Sequence, residues 1–488
     1  MKILVLNPPF LKKFSRPQRS PAVTKSGTLY YPIWLAYLAA VLEADGFEVV
    51  FWDAPAAGKE VEDVLELVRG EGFALAVLDA STPSVASDAA LAGRIKAASP
   101  GTFTLLVGSH VSALPGETLA LNAGVDAVAR REYEYTVREV ARLLRDTGQA
   151  DAAGLKGVAG LSFRDGEKIT HNPDRPFIEN LDELPWVAPI YKKHLDYRHY
   201  FNANAPPPMV TLISSRGCPF RCGFCVYPQT LTGRAFRFRS VSDVLDETAW
   251  ALEAFPGLRS IFFEDDTLTA NKARCLEFCD QILARGLSFS WIANSRADLD
   301  EETLRVMRAA GCRMLCVGFE SADQKSLKAM KKGVSTDSMR AFVRHAKKVG
   351  ILVHGCFIFG FPGETETSIQ KTIDFALSLA IDTAQFYPVM VYPGTEAYAD
   401  YLARGWITAD DFSKWLTAEG LHNCVVRNEA LSPEKLVRLC DLARRKFYLR
   451  PGYVAGKVLR SLVSPAEMAR TARAGGVFIK HLIRGSRV

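Results

Sequence analysis

Along the first 150 residues, short runs of uniformly apolar positions alternate with longer stretches whose apolar residues recur every three or four positions. The runs at 2–6, 48–52, 74–78, 104–107 and 127–129 read as strands, and the stretches at 32–45, 61–71, 86–98, 115–123 and 135–146 as amphipathic helices. Strands that lack a polar face and alternate with helices imply a parallel sheet covered on both sides. The expectation is an α/β, Rossmann-like doubly wound domain over residues 1–150. Such sheets bind ligands at the carboxyl ends of their strands. Those ends carry Asn7-Pro8-Pro9, Asp53, the Ser81-Thr82-Pro83 loop, Gly108-Ser109-His110 and Arg130-Arg131-Glu132. No G-x-G-x-x-G opens the first helix, which makes a dinucleotide the weaker guess.

Residues 151–208 hold one hairpin-like passage and then a proline-rich run, the pattern of a linker packed across two domains. The alternation then resumes, with strands expected at 210–214, 260–263, 288–293, 314–318, 353–358 and 383–389. Six successive β/α units predict a partial (β/α)6 barrel over 209–406, its active site at the strand C-termini. From residue 407 to 488 the chain reads as a helical, basic C-terminal region.

Composition narrows the class. With 48% hydrophobic and 23% charged residues the chain is a folded globular protein, and no apolar stretch approaches the roughly 20 residues that span a bilayer. Pro8 and Pro9 interrupt the N-terminal apolar run, so it reads as a first strand, and a cytoplasmic protein is expected. A net charge of +6 is too modest to argue for nucleic acid. Residues 441–488 carry eleven Lys or Arg against Asp441 and Glu467, interleaved with apolar residues. That tail fits either a solvated helical face or peripheral contact with an anionic membrane surface.

The decisive motif is Cys218-Pro-Phe-Arg-Cys222-Gly-Phe-Cys225, a C-x3-C-x2-C run directly after the first expected barrel strand. Three thiolates on so short a loop suit iron–sulfur chemistry and leave the fourth iron of a [4Fe-4S] cluster without a protein ligand. The alternative is zinc, which wants four tetrahedral ligands, and no second Cys or His pair lies nearby.

Over residues 209–395 the sequence resembles the radical S-adenosylmethionine (SAM) superfamily. The resemblance implies that SAM chelates the open iron and is cleaved reductively to a 5′-deoxyadenosyl radical, which abstracts hydrogen from an unactivated carbon. It also implies that Phe224 packs near the adenine and that Glu264 and Asp265, in Glu264-Asp265-Asp266, meet the SAM amino group. A helix cap is the other reading of these acids. Asn294, Ser295 and Arg296 are implied at the ribose or carboxylate, Glu320 and Ser321 at the ribose, and Gly360, within Gly355 to Thr365, at the adenine. A buried salt bridge is the alternative for Glu320.

A Rossmann-like domain ahead of such a barrel resembles the cobalamin (B12)-binding class of the superfamily, on Asn7-Pro8-Pro9, the Ser81-Thr82-Pro83 loop and Gly108-Ser109-His110. Cobalamin is then implied in the strand-end crevice, near Asn7, Ser81, Thr82, Gly108 and His110. The D-x-H-x-x-G signature is absent, so binding without histidine ligation is implied. The other reading is a domain that has lost the cofactor and contributes substrate surface. Within the class, Thr82 to Asp88, His171 to Arg175, Pro189 to Lys192 and Phe262 to Thr267 resemble the hopanoid-biosynthesis proteins that form bacteriohopanetetrol cyclitol ether, which implies a lipid-linked sugar. Resemblance also extends to methyltransferases of unactivated carbon, with methylcobalamin as donor, and to the anaerobic porphyrin cyclase. The implied partners are a small-molecule or lipid-linked substrate and an electron donor such as flavodoxin or ferredoxin. Two other classes stay open: a cobalamin or iron–sulfur sensor without turnover, and a nicotinamide oxidoreductase.

Overall fold

The computed structural model describes residues 1–463. Five strands, β1 (Lys2–Asn7), β2 (Glu48–Asp53), β3 (Leu75–Asp79), β4 (Phe103–Val107) and β5 (Ala127–Ala129), pair in parallel in the spatial order β2-β1-β3-β4-β5. Helices α1 (Ile33–Ala44), α2 (Val61–Glu71), α3 (Val85–Ala98), α4 (Pro115–Leu121) and α5 (Glu134–Thr147) alternate with them. The strands are apolar on both faces because both are covered, with one apolar core on each side of the sheet. Strand order reverses at β1/β3, which opens the crevice where this topology takes ligands.

The segment expected as a linker also extends this sheet. Strands β6 (Leu161–Asp165) and β7 (Lys168–His171) form an antiparallel hairpin that pairs with β5, giving seven strands. The remainder packs across both halves: Val187 and Ala188 donate backbone N–H groups to Glu247, while the Tyr200 hydroxyl donates to Asp53 at 2.7 Å.

The second sheet has six parallel strands in sequence order: β8 (Met209–Leu212), β9 (Ser260–Phe263), β10 (Ser290–Ser295), β11 (Cys312–Glu320), β12 (Leu352–Phe359) and β13 (Thr383–Pro388). It is the expected open six-unit barrel. Strand β8 stops at Leu212, short of the expected residue 214, because Ser215–Arg216 turns aside to pair with Arg237–Phe238. The edge strand β13 is capped from outside by α6 (Pro433–Tyr448): the Tyr448 hydroxyl donates to the Ala384 carbonyl at 2.6 Å and accepts from its N–H, and Arg444 donates to the Phe386 carbonyl. Free edge groups are thereby satisfied, which blocks pairing with other chains.

The C-terminal region is only partly helical. Helices α6 and α7 (Pro451–Val463) follow, but 407–432 is a loop with one 3-10 turn, Phe412–Trp415, and isolated bridges Ile407 to Val426 and Leu416 to His422. It lies over the strand ends of the first sheet, where Phe412 packs edge-on against His110 at 4.9 Å. Residues 464–488 of the basic tail invoked for membrane contact lie outside the described residues. Among the described residues no helix is long and apolar enough to cross a membrane.

The halves are joined by a buried charge network. Arg216, two residues before Cys218, is 1% exposed; it pairs with Glu134 at 2.7 Å and Glu132 at 3.5 Å, and its guanidinium lies over Trp34 and Tyr37. Arg237 holds Glu132 at 2.8 Å. The Arg130–Glu134 stretch thus fixes the base of the cysteine loop.

Candidate active site at the barrel mouth

The loop bearing Cys218, Cys222 and Cys225 leaves the top of β8 and is held mainly by backbone contacts. Gly217, at φ +83°, makes the turn into it; Cys218 N–H donates to the Gly233 carbonyl at 3.2 Å, Gly223 N–H to the Met330 carbonyl at 3.2 Å, and the Gln229 amide to the Cys225 carbonyl at 2.7 Å. All three are free thiols, and all three line one cavity of about 230 Å³. Among the described residues no three His, Cys, Asp or Glu side chains group closely enough to hold a single metal ion. Three thiols lining one cavity fit a [4Fe-4S] cluster, in which each sulfur takes its own iron and one iron stays open. Burial pushes the Cys218 and Cys225 thiols up.

Around this cavity the ends of the next strands bring charge. Glu264 and Asp266 accept from Arg19 at 3.1 and 3.0 Å, and burial raises the Glu264 carboxyl to about 7 against the opposing pull of that arginine. Asp265 turns the other way: it accepts from Ser214 N–H at 3.1 Å and the Ser215 hydroxyl at 2.5 Å, tying β9 to β8. Asp265 thus braces the preceding strand end and caps no helix, and neither it nor Glu264 lines the cavity. Asn294 and Arg296 both line the cavity. Asn294 donates to the Asp265 carbonyl at 3.0 Å. Arg296 lies over Phe220, 3.8 Å from its centroid, while donating to the Lys332 and Gly333 carbonyls. Glu320, at φ +62°, meets Lys332 at 2.8 Å. Gly318 has no Cβ, and any added there would collide with this pair.

Phe224 lines the cavity and packs edge-on to Phe361 at 5.4 Å. Ser321 and Gly360 do not reach it. The Ser321 hydroxyl is buried against Glu364 and Thr372, and Gly360, at φ +111°, donates N–H to Glu364 at 2.7 Å and accepts from the Tyr401 hydroxyl. This glycine packs against Leu436 of α6, so its freedom of φ serves a turn behind the site. Sequence reasoning missed Arg19, Lys332, Cys316, Cys356 and Tyr387, which all line the cavity.

At the first sheet, Asn7, Ser81, Thr82 and His110 are buried at the β1, β3 and β4 ends, with Gly108 at φ +121°. A Cβ at Gly108 would stand 2.5 Å from the Ala80 carbonyl oxygen, so only glycine lets these loops close together. His110 Nδ1 shares a hydrogen bond with Thr82 at 3.1 Å, and burial pulls the imidazole down to about 4, keeping it neutral. It lies under Phe412, packed as a core side chain. Asp79 is raised to about 7 by burial, against the pull of the Arg16 charge and the adjacent Ala80 N–H, and among the described residues the hydroxyl of nearby Tyr133 has no hydrogen-bond partner.

Residues 212–376 match the profile of the Radical SAM superfamily and residues 19–141 that of the B12 binding domain. The uncharacterized methyltransferase PH0819 of Pyrococcus horikoshii is 31% identical over 475 residues, covering 95% of this chain and 98% of its own. The chain belongs to the cobalamin-dependent radical SAM family. The anaerobic magnesium-protoporphyrin IX monomethyl ester cyclase of Cereibacter sphaeroides is 25% identical, over 86% of this chain and 67% of that one. In fold the chain is similar to the radical SAM methyltransferase TsrM of Kitasatospora setae, with a TM-score of 0.70 at 18% identity, covering 90% of this chain and 88% of the other.

The cofactors of this cobalamin-dependent radical SAM enzyme are a [4Fe-4S] cluster, SAM and cobalamin. The residues present fit them. Besides the three thiols, Glu320 lines the cavity and its Oε2 is buried with no hydrogen-bond donor among the described residues, so it can accept from an ammonium or hydroxyl group such as SAM carries. At the first sheet, the close-set loops of small polar residues and the unpartnered Tyr133 hydroxyl suit a large polar ligand at the topological switch point.

Proposed function

We propose that this enzyme transfers a methyl group to an unactivated carbon of a small molecule, with Cys218, Cys222 and Cys225 holding the cluster. The observation that carries the reading is the cavity where three free thiols and the Glu320–Lys332 and Arg19–Asp266 pairs meet, beneath a crevice of the B12-binding type. When bound, the cluster supplies the electron that cleaves SAM to a 5′-deoxyadenosyl radical, which takes hydrogen from the substrate, and cobalamin supplies the methyl group. The chain's own residues bind and orient. Asp266 receives the SAM ammonium, the free oxygen of Glu320 receives a ribose hydroxyl, and Asn294 and Arg296 close the polar wall around the SAM carboxylate. Phe224 offers an aromatic face to the adenine. Asn7, Ser81, Thr82 and Gly108 would form the cradle for cobalamin, with the neutral His110, packed under Phe412, as a wall residue. Ile358, Val389 and Met390 add apolar lining to the cavity, where the reacting carbon would be kept from water.

Methyl transfer is favoured over sugar rearrangement because the near-full-length relative is named a methyltransferase and none of the relatives described above is named for a hopanoid. Ring closure of the cyclase type is the second reading. The electron would come from a carrier such as flavodoxin or ferredoxin. Anaerobically reconstituted protein given dithionite, hydroxocobalamin and SAM should release both 5′-deoxyadenosine and S-adenosylhomocysteine, and Cys222→Ala should release no 5′-deoxyadenosine. The nucleoside without the homocysteine product would reject methyl transfer and leave the cyclase reading.

A further inference from the structure

The chain between β1 and α1 forms a small hairpin, Phe14–Ser15 against Ala22–Val23, whose tip carries two arginines three residues apart. They point into different halves of the molecule. The Arg16 side chain is fully buried in the first-sheet crevice, where it pairs with Asp88 at 2.6 Å and donates to Asn7 at 2.9 Å and Ser84 at 3.2 Å. Arg19 crosses to the barrel mouth, where it bridges Glu264 and Asp266 and donates to the Asp265 carbonyl at 3.2 Å. Ser20 pins the same tip to the chain that follows the barrel, within 2.9 Å of the Tyr392 hydroxyl and 2.8 Å of His422 Nε2.

We infer that Arg19 is a positioning residue that couples the two cofactor sites, so that filling the first-sheet crevice tightens SAM binding at the barrel mouth. The inference rests on the assignment of that mouth to SAM. Asn7 and Ser84, which anchor Arg16, belong to the loops that form the crevice, so a ligand seated there immobilises the hairpin. A fixed hairpin holds Arg19 on one oxygen each of Glu264 and Asp266. Of this trio Arg19 and Asp266 line the cavity, and Glu264 is buried beside them. An arriving ammonium therefore finds the Asp266 carboxylate ordered at the cavity wall, and Arg19 does not have to leave. Without Arg19 the two carboxylates repel each other, one takes up a proton, and the state of the crevice no longer reaches them.

The test is the SAM dissociation constant of anaerobically reconstituted full-length protein, measured by equilibrium dialysis with and without saturating hydroxocobalamin. Linkage between two sites in one protein commonly changes affinity by about fivefold or more. The parent protein is expected to bind SAM at least about fivefold more tightly with cobalamin. In Arg19→Gln that ratio should fall to about one, while cobalamin affinity, read from the visible spectrum, stays within about twofold of the parent. A purely structural role would lower stability and leave the ratio intact. Arg19→Lys keeps the charge but cannot bridge both acids, and serves if the glutamine variant fails to fold; its ratio should also drop. An unchanged ratio in the variants, or a ratio of one in the parent, overturns the coupling. Absence of SAM binding by the parent overturns the SAM assignment itself, and the coupling with it.

Discussion

Replacing Glu134 by Gln should destabilise the protein by about 3 kcal/mol, because it strands a buried cation. Arg216 is 1% exposed and Glu134 2%, at 2.7 Å, so neither charge is shielded by water. Removing one partner of such a pair costs about 3–5 kcal/mol. Arg216 would keep Glu132 at 3.5 Å and the faces of Trp34 and Tyr37, which places the loss at the lower end of that range. Glu132 is itself shared with Arg237, so it cannot move wholly to Arg216. With a urea slope of about 3 kcal/mol per molar, the unfolding midpoint should fall by about 1 M. Since Arg216 leads directly into the cysteine loop, iron retained after reconstitution should fall as well. The double variant Glu134→Met with Arg216→Met removes both charges and should recover to within about 1 kcal/mol of the parent. A single Glu134→Gln variant that stays within about 1 kcal/mol of the parent would refute the claim that this pair fixes the loop.

Three further outcomes are expected. Glu320→Gln leaves the buried Lys332 without its counter-charge and removes a charged acceptor, which should weaken SAM binding about tenfold by dialysis; unchanged affinity would remove Glu320 from the SAM site. Asp79, raised by burial to about 7, favours the protonated form in the folded state, so its contribution to stability is fully present below the unfolded carboxyl's pKa and is lost as pH rises toward 7. Asp79→Asn should therefore gain stability over the parent at pH 8 by up to about 4 kcal/mol, and much less at pH 4, in urea titrations; an equal gain at both would contradict the assignment. Gly108→Ala, at φ +121° and against the Ala80 carbonyl, should push the β3 and β4 loops apart and abolish the bound-cobalamin spectrum; a full spectrum would remove that loop from the cradle.

Much of the architecture was legible because both sheets are parallel and buried. Their strands are apolar on two faces and stand out against helical spacing, so the expected strands lie within a few residues of those observed. The cysteine loop was legible from spacing alone. Long-range contacts were not. Arg16 and Arg19 sit in a stretch without periodicity, and their partners lie 72 and 245 residues away. Lys332 follows a short helix like any surface lysine, and only the fold places it against Glu320. Gly360 misled because a glycine permits both close approach to a ring and a left-handed turn, and here the turn is what the packing uses. Residues 407–432 read as helical in the sequence, yet bridges and a turn around Gly420 hold them as a cover over the first sheet.

The central claim is that three thiols hold a cluster with one iron left open to SAM. Mössbauer spectroscopy of anaerobically reconstituted, iron-57-labelled protein tests it most directly. The account predicts about four irons per chain in the pattern of a [4Fe-4S]²⁺ cluster, with one iron's signal shifting when SAM is added and no cluster in Cys218→Ala. Mononuclear iron, or stoichiometric zinc in place of iron, would contradict it.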